Sequence, residues 1–173
     1  MPDKRINLNA DLGEGFGPWS MGDDAAMLDV VASANIACGG HAGDPDVMRR
    51  TVRLARERGV SIGAHPSYPD LQGFGRRAMA LSAAELENQI AFQIGALAGV
   101  AALEATRVTH VKPHGALNNL ACADRAVADT ICRAMRAVDP TLILLAPAAS
   151  QLLGAGRTAG LPVVEEVFAD RAY

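Results

Sequence analysis

Several things are scarce in this chain, and each absence narrows what it can be. Cysteine is the first: 173 residues carry three, Cys38, Cys122 and Cys132. An odd count without close pairing argues against a disulfide scaffold and fits a reducing cytoplasm. Massed charge of one sign is the second. Lys and Arg number 16 against 19 Asp and Glu, for a net charge of −3, and the basic residues are spread along the chain. Neither nucleic acid nor an anionic membrane is expected as a partner. A long hydrophobic run is the third. The most apolar stretch, Ile90 to Leu103, contains Gln93 and two glycines and falls short of a bilayer span. Asp3, Lys4 and Arg5 are not followed by the apolar core of a signal peptide. The phosphate-loop, dinucleotide-fold and H-E-x-x-H zinc-protease patterns are also absent.

What is present is an alternation of short apolar runs with amphipathic stretches. Strands are expected over Arg5–Ala10, Ala34–Cys38, Val60–Ala64, Val108–Lys112, Leu142–Ala146 and Val163–Phe168. Between them, Asp23 caps a helix through Val31, and Asp44-Pro45 opens another that Gly59 ends. The arginines of that second helix, Arg49, Arg50, Arg53 and Arg56, read as a solvated face. Ser82 and Glu85 form a capping box for a long helix with Leu86, Ile90, Ile94, Leu97 and Ala101 on one stripe. Its Gly95 and Gly99 read as points of close packing against the sheet. Asp124 opens a further amphipathic helix, and Pro147–Ala159 is a weaker one.

Such alternation demands a parallel sheet covered by helices. A doubly wound sheet and a (β/α) barrel both satisfy it. The barrel is favoured because polar groups follow nearly every strand: Asp11 and Glu14, His41, His65, Lys112 and His114, Asp170 and Arg171. A doubly wound sheet concentrates its site at one switch point, whereas a barrel gathers all its strand ends round one mouth. Singly, each histidine is a loop hydrogen-bonder. Gathered with Asp11, Glu14, Asp170 and Lys112 they form an ionisable crater, with histidines to move protons, carboxylates to activate water or bind a metal, and Lys112 to steady an oxyanion or bind a phosphate.

Five blocks carry a closer likeness: NLNADLGEGFGPW, NIACGGHAGD, GAHPSYPDLQGFGRR, HVKPHGAL and VFADRAY. In this order they resemble the LamB/YcsF family, known as the A subunits of 5-oxoprolinase. The resemblance implies an incomplete, seven-stranded TIM-type (β/α) barrel related to the polysaccharide deacetylases. Residues 1–173 would be a single domain of this kind, cut after its sixth strand, because family members run on further. Asn118 stands where the family usually has tyrosine.

The implied activity is ATP-dependent opening of 5-oxoproline to L-glutamate with two partner subunits, B and C, and ATP presumes Mg2+. Asp11, Glu14, His41, His65, Lys112 and His114 would be catalytic. Asn9, Arg76, Arg77, Asp170 and Arg171 would hold the substrate, the arginines being suited to its carboxylate. Two alternatives remain open: a deacetylase-like amide hydrolase with a divalent metal on Asp11, His41 and His65, and a non-catalytic subunit that binds a small carboxylate.

Overall fold

The computed structural model describes residues 6–170. Six strands pair in chain order and all in parallel: β1 (Asn9–Leu12), β2 (Ser33–Ala37), β3 (Ser61–His65), β4 (His110–Val111), β5 (Ile143–Pro147) and β6 (Val163–Glu166). A doubly wound sheet reverses its strand order at a switch point. Consecutive order throughout is instead the winding of a barrel wall.

The sheet is strongly curled and stays open as a half-barrel. No ladder joins β1 to β6 among the described residues, yet Asn9 Nδ2 on β1 donates to Glu166 Oε1 on β6 at 3.0 Å. That bond spans the concave interior and ties the two edge strands together. The incomplete barrel expected from the sequence is what forms.

Six helices cover the sheet: α1 (Asp24–Leu28), α2 (Pro45–Glu57), α3 (Ala83–Leu103), α4 (Gly115–Ala123), α5 (Arg125–Val138) and α6 (Gln151–Thr158). Their starts are set locally. The Asp44 carboxylate accepts from the Asp46 and Val47 amides at 2.8 and 3.0 Å, and Pro45 occupies the first turn, where no amide is needed. Ser82 and Glu85 close the expected capping box.

Along α3 every expected apolar position, Leu86, Ile90, Ile94, Leu97 and Ala101, is buried in the core. Each large side chain of that stripe contributes about 1.5–3 kcal/mol by leaving water. At 21 residues α3 is long and apolar enough, by length and composition alone, to cross a membrane. Its buried Gln93 is spent on the Ser67 backbone, donating to the carbonyl at 2.8 Å and accepting from the amide at 2.9 Å.

Several expectations are corrected. β1 begins at Asn9, not Arg5, so Asp11 lies within the strand and not beyond it; Met1–Arg5 fall outside the described residues. β4 keeps only His110 and Val111 because Pro113 interrupts the run just after Lys112. Helix α4 was not expected. Its segment, GALNNLACA, has no charged residue and no capping side chain, since the ring of its N-cap residue His114 is engaged elsewhere. Gly95 and Gly99 face outward, and a side chain at either would meet nothing within 4 Å. Nor is the α2 arginine face merely solvated: Arg49 and Arg53 reach the buried Glu104 carboxylate at 2.7 and 3.0 Å, and Arg56 reaches its carbonyl at 3.0 Å.

Candidate active site

Parallel strands deliver their last residues to one end of the sheet, and five of the polar side chains picked from the sequence, Asp11, Glu14, His41, His65 and His114, meet there. His65 ends β3. A carbonyl can only accept, so the 2.6 Å contact with the Lys112 carbonyl makes His65 Nδ1 the donor. Its Nε2 lies 3.3 Å from Asp11 Oδ2 and 3.0 Å from His114 Nδ1. By the same reasoning His114 donates from Nε2 to the Phe74 carbonyl at 2.8 Å. His41 arrives on the loop after β2, its Nε2 3.1 Å from Glu14 Oε1. The rings of His41 and His114 stack at 3.7 Å, only 4° from parallel, and His65 meets both edge-on.

Gly75 closes the cluster from the loop after β3. Its φ is +63°, and a side chain there would strike His114 and His41 at 2.9 Å. All three histidines are buried.

Burial sets the proton affinities of these groups. It pushes His41 down to about 3, helped by the neighbouring His65, and His114 down to about 4, helped by His41 and His65. Burial likewise raises the Glu14 carboxyl, against the pull of His65. Asp11 behaves differently. Burial would raise it, but His65, Lys112 and Asn35 together outweigh that and hold it well below the usual carboxylate range.

Beneath the histidines lies a second polar layer. Lys112 Nζ spends its three protons on Glu166 Oε1 at 2.8 Å and on Asn9 Oδ1 and Asp11 Oδ1 at 3.2 Å each. Asn35 Nδ2 donates to Asn9 Oδ1 at 2.7 Å and to Asp11 Oδ1 at 2.9 Å. Asn35 Oδ1 in turn faces His110 Nε2 at 3.1 Å. Asp11 thus presents one oxygen to the lysine and asparagine and the other to His65.

Sequence reading missed Asn35, His110 and Glu166. Signals for two of them existed. Asn35 is the only amide in an otherwise small and apolar strand, and His110 sits two residues before Lys112, hence on the same face. Glu166 was hidden inside a strand expected to run to Phe168.

An open cavity of about 1200 Å³ runs along the concave face, lined among others by Asn9, Asp11, His110, Lys112, Glu166 and Phe168. Glu14 and the three histidines sit beyond it, and Asp11 joins the two regions. The arginine pair divides. Arg77 is bound to the buried Asp70 carboxylate, whereas the Arg76 guanidinium lies over the Phe74 ring, 5.4 Å from its centre, close enough to favour ionised Glu14. Asp170 is an exposed turn residue past β6, and Arg171 falls outside the described residues. Gly59–Gly63 has the spacing of a serine-hydrolase elbow, but Ser61 opens β3 at the opposite end of the strand from His65.

One ligand atom from each of Glu14, His41, His65 and His114 lies within 4.8 Å of the others, so the cluster can hold a metal ion. Of the alternative metal triad, Asp11 and His65 lie together at 3.3 Å, while His41 Nε2 faces Glu14.

Known proteins resemble this chain in sequence and in fold. The A subunit of 5-oxoprolinase from Azoarcus sp. (strain BH72) is 65% identical over 169 residues, covering 98% of this chain and 66% of the relative. Its counterpart from Rhodopseudomonas palustris (strain ATCC BAA-98 / CGA009) is 60% identical over 170 residues, covering 98% and 67%. The chain therefore spans about two thirds of the length of these curated relatives. The crystal structure of the lactam utilization protein from Thermus thermophilus superimposes with a TM-score of 0.96 at 46% identity, over 98% of this chain and 69% of that one. The LamB/YcsF family model matches residues 6–173, and the chain belongs to the LamB/YcsF family.

Proposed function

We propose that this chain is the A subunit of an ATP-dependent 5-oxoprolinase, a hydrolase that opens the lactam of 5-oxoproline to L-glutamate. It would work in the cytoplasm with two partner subunits, B and C, and with ATP and its Mg2+ supplying the driving force. The observation that carries this reading is the side-chain cluster at the rim of the sheet. Two carboxylates, three histidines and a saturated lysine converge at the strand ends of a chain 65% identical to a protein of that name.

The residues suit the chemistry. A lactam is a stable amide, so water must be held and its proton removed at the carbonyl carbon. Asp11 is the best-placed acceptor. Its side chain is 36% exposed against 16% for Glu14, so water reaches it, and Oδ2 is the oxygen that Lys112 and Asn35 leave to His65. A carboxylate held so far below its usual range is a weak base, which means that water there needs a second source of activation. Arg76 at the rim is suited to the substrate carboxylate.

The deciding assay is glutamate release from 5-oxoproline with ATP and Mg2+, with and without the two partner subunits. Release that requires all three subunits supports the reading. Binding of 5-oxoproline without turnover, even with both partners present, would leave this chain with a binding role only.

A further inference from the structure

The bonding around His65 and His114 calls for one positive charge between the two rings, either a shared proton or a metal ion. Each ring donates its one proton to a carbonyl, His65 Nδ1 to Lys112 and His114 Nε2 to Phe74. The remaining nitrogens, His65 Nε2 and His114 Nδ1, then both carry lone pairs, and they face each other at 3.0 Å. Glu14 Oε1, another acceptor, stands 3.7 Å from His114 Nδ1. Three lone-pair donors converging on one point require a positive occupant.

Spacing favours a metal ion. Ligands at about 2.1 Å from a tetrahedral zinc-type centre stand about 3.4 Å apart; His114 Nδ1 lies 3.0 Å from His65 Nε2 and 3.7 Å from Glu14 Oε1, and Glu14, within 4.8 Å of His65, closes the shell by a small turn of its side chain. Main-chain carbonyls on the outer nitrogens are the usual outer support of metal-bound histidines, fixing tautomer and ring angle. Charge agrees as well. Inside the crater Asp11, Glu14 and Glu166 face only Lys112 as a fixed cation, and with neutral histidines two negative charges remain. Arg76 is exposed at the rim.

His41 does not belong to the ligand set, for two reasons. Its Nε2 faces a carboxylate and so carries the proton, leaving no lone pair on that side. Its ring is also stacked on His114, 4° from parallel at 3.7 Å. An ion bound to both nitrogens at about 2.1 Å would stand about 1.8 Å out of both ring planes, away from either lone pair.

We propose that His65 Nε2, His114 Nδ1 and Glu14 Oε1 hold one divalent transition-metal ion of the zinc type, with His41 as the positioning residue that orients Glu14. Two imidazoles and one carboxylate select such an ion over Mg2+ or Ca2+, which prefer all-oxygen shells. A fourth position is left for water beside Asp11. Such an ion would acidify its bound water. The ion site stands independently of the identity of the amide cleaved, because metal binding and glutamate release are read separately.

The test uses the purified chain after chelation, titrated with Co2+ and Zn2+ alone. One ion per chain is expected, with the intense visible bands of four-coordinate Co2+. His65→Ala and His114→Ala should abolish binding at millimolar metal. His41→Ala should retain one ion with affinity lowered about tenfold to a hundredfold, the usual cost of losing an outer-shell partner. Ring-nitrogen NMR of the unaltered chain gives a second readout should a variant fail to fold. Zn2+ should shift His65 Nε2 and His114 Nδ1 and leave His41 Nε2 protonated. Absence of binding by the unaltered chain would show that the two histidines merely share a proton. Loss of binding in folded His41→Ala as complete as in His114→Ala, or a Zn2+-induced loss of the His41 Nε2 proton, would overturn the ligand set.

Discussion

His110 reaches Asn35 across the place where Gly63 has no side chain. Asn35, Gly63 and His110 stand at one level of three adjacent strands, and His110 Nε2 meets Asn35 Oδ1 at 3.1 Å. A side chain at position 63 would lie 2.1 Å from that nitrogen. The gap in β3 thus lets a histidine on β4 brace an asparagine on β2, which in turn fixes Asp11 on β1.

Gly63→Ala should therefore displace the His110 ring and cost about 1–3 kcal/mol, the range for overpacking a filled interior. Urea denaturation measures it. His110→Ser removes the obstructing ring, so the double variant should lose less than the sum of the two single losses. Strict additivity would mean that the two residues do not meet.

Lys112 is the only cation within hydrogen-bonding distance of Asp11 Oδ1 and Glu166 Oε1 among the described residues. Glu166 and Lys112 are both buried. Lys112→Ala leaves the Asp11 and Glu166 carboxylates without their cation and with only amide donors from Asn35 and Asn9 on those oxygens, a change of the kind that costs about 3–5 kcal/mol. Adding Glu166→Gln should recover part of that loss, because one of the stranded charges disappears. Equal stability of the single and double variants would contradict the arrangement.

Glu104 contributes to the acid limb of stability. Arg53, then Arg49, hold its carboxyl down to about 2, against an ordinary value of 4.5. The folded state therefore binds fewer protons than the unfolded one between these values. Stability from this group is complete above pH 4.5 and disappears as pH falls toward 2. Glu104→Gln should flatten the stability profile across that window and leave it parallel to the unaltered protein above it. Thermal midpoints collected across the acid range and up to neutrality test this, and an unchanged acid slope would refute it.

The legible part of this protein was the part written in local chemistry. Asp44-Pro45, Ser82-x-x-Glu85 and Asp124 announce helix starts through side-chain caps, and the apolar stripe of α3 announces its buried face. His41, His65 and His114 could be placed together because parallel strands carry their ends to one rim. Which group faces which could not be read. His41 turns to Glu14 because its ring stacks on His114, a contact between residues 73 positions apart in the chain. Arg76 and Arg77 look equivalent in sequence, yet one backbone step sends only the second to Asp70. Helix α4 carries no cap and no charge, and it is held by tertiary packing of Leu117 and Ala121.

That division of Arg76 from Arg77 yields the last prediction, which rests on 5-oxoproline being the substrate. Arg77 is bound to Asp70, whose amide donates to the Gly40 carbonyl at 3.0 Å and whose carbonyl accepts from Gly75 at 2.9 Å. It therefore fastens the loop that packs on the histidines. The Arg76 guanidinium, among the contacts described for it, meets only the Phe74 ring and keeps its donors for a ligand. A charge-assisted hydrogen bond to a substrate carboxylate contributes about 1.5–3 kcal/mol. Arg76→Ala should accordingly raise KM for 5-oxoproline by about tenfold to a hundredfold in the assembled three-subunit enzyme, with the denaturation midpoint of the chain nearly unchanged. Arg77→Ala should do the reverse, lowering the midpoint and disturbing kcat through the displaced loop. If Arg77→Ala moved KM more than Arg76→Ala did, with the fold intact, the two assignments would have to be exchanged.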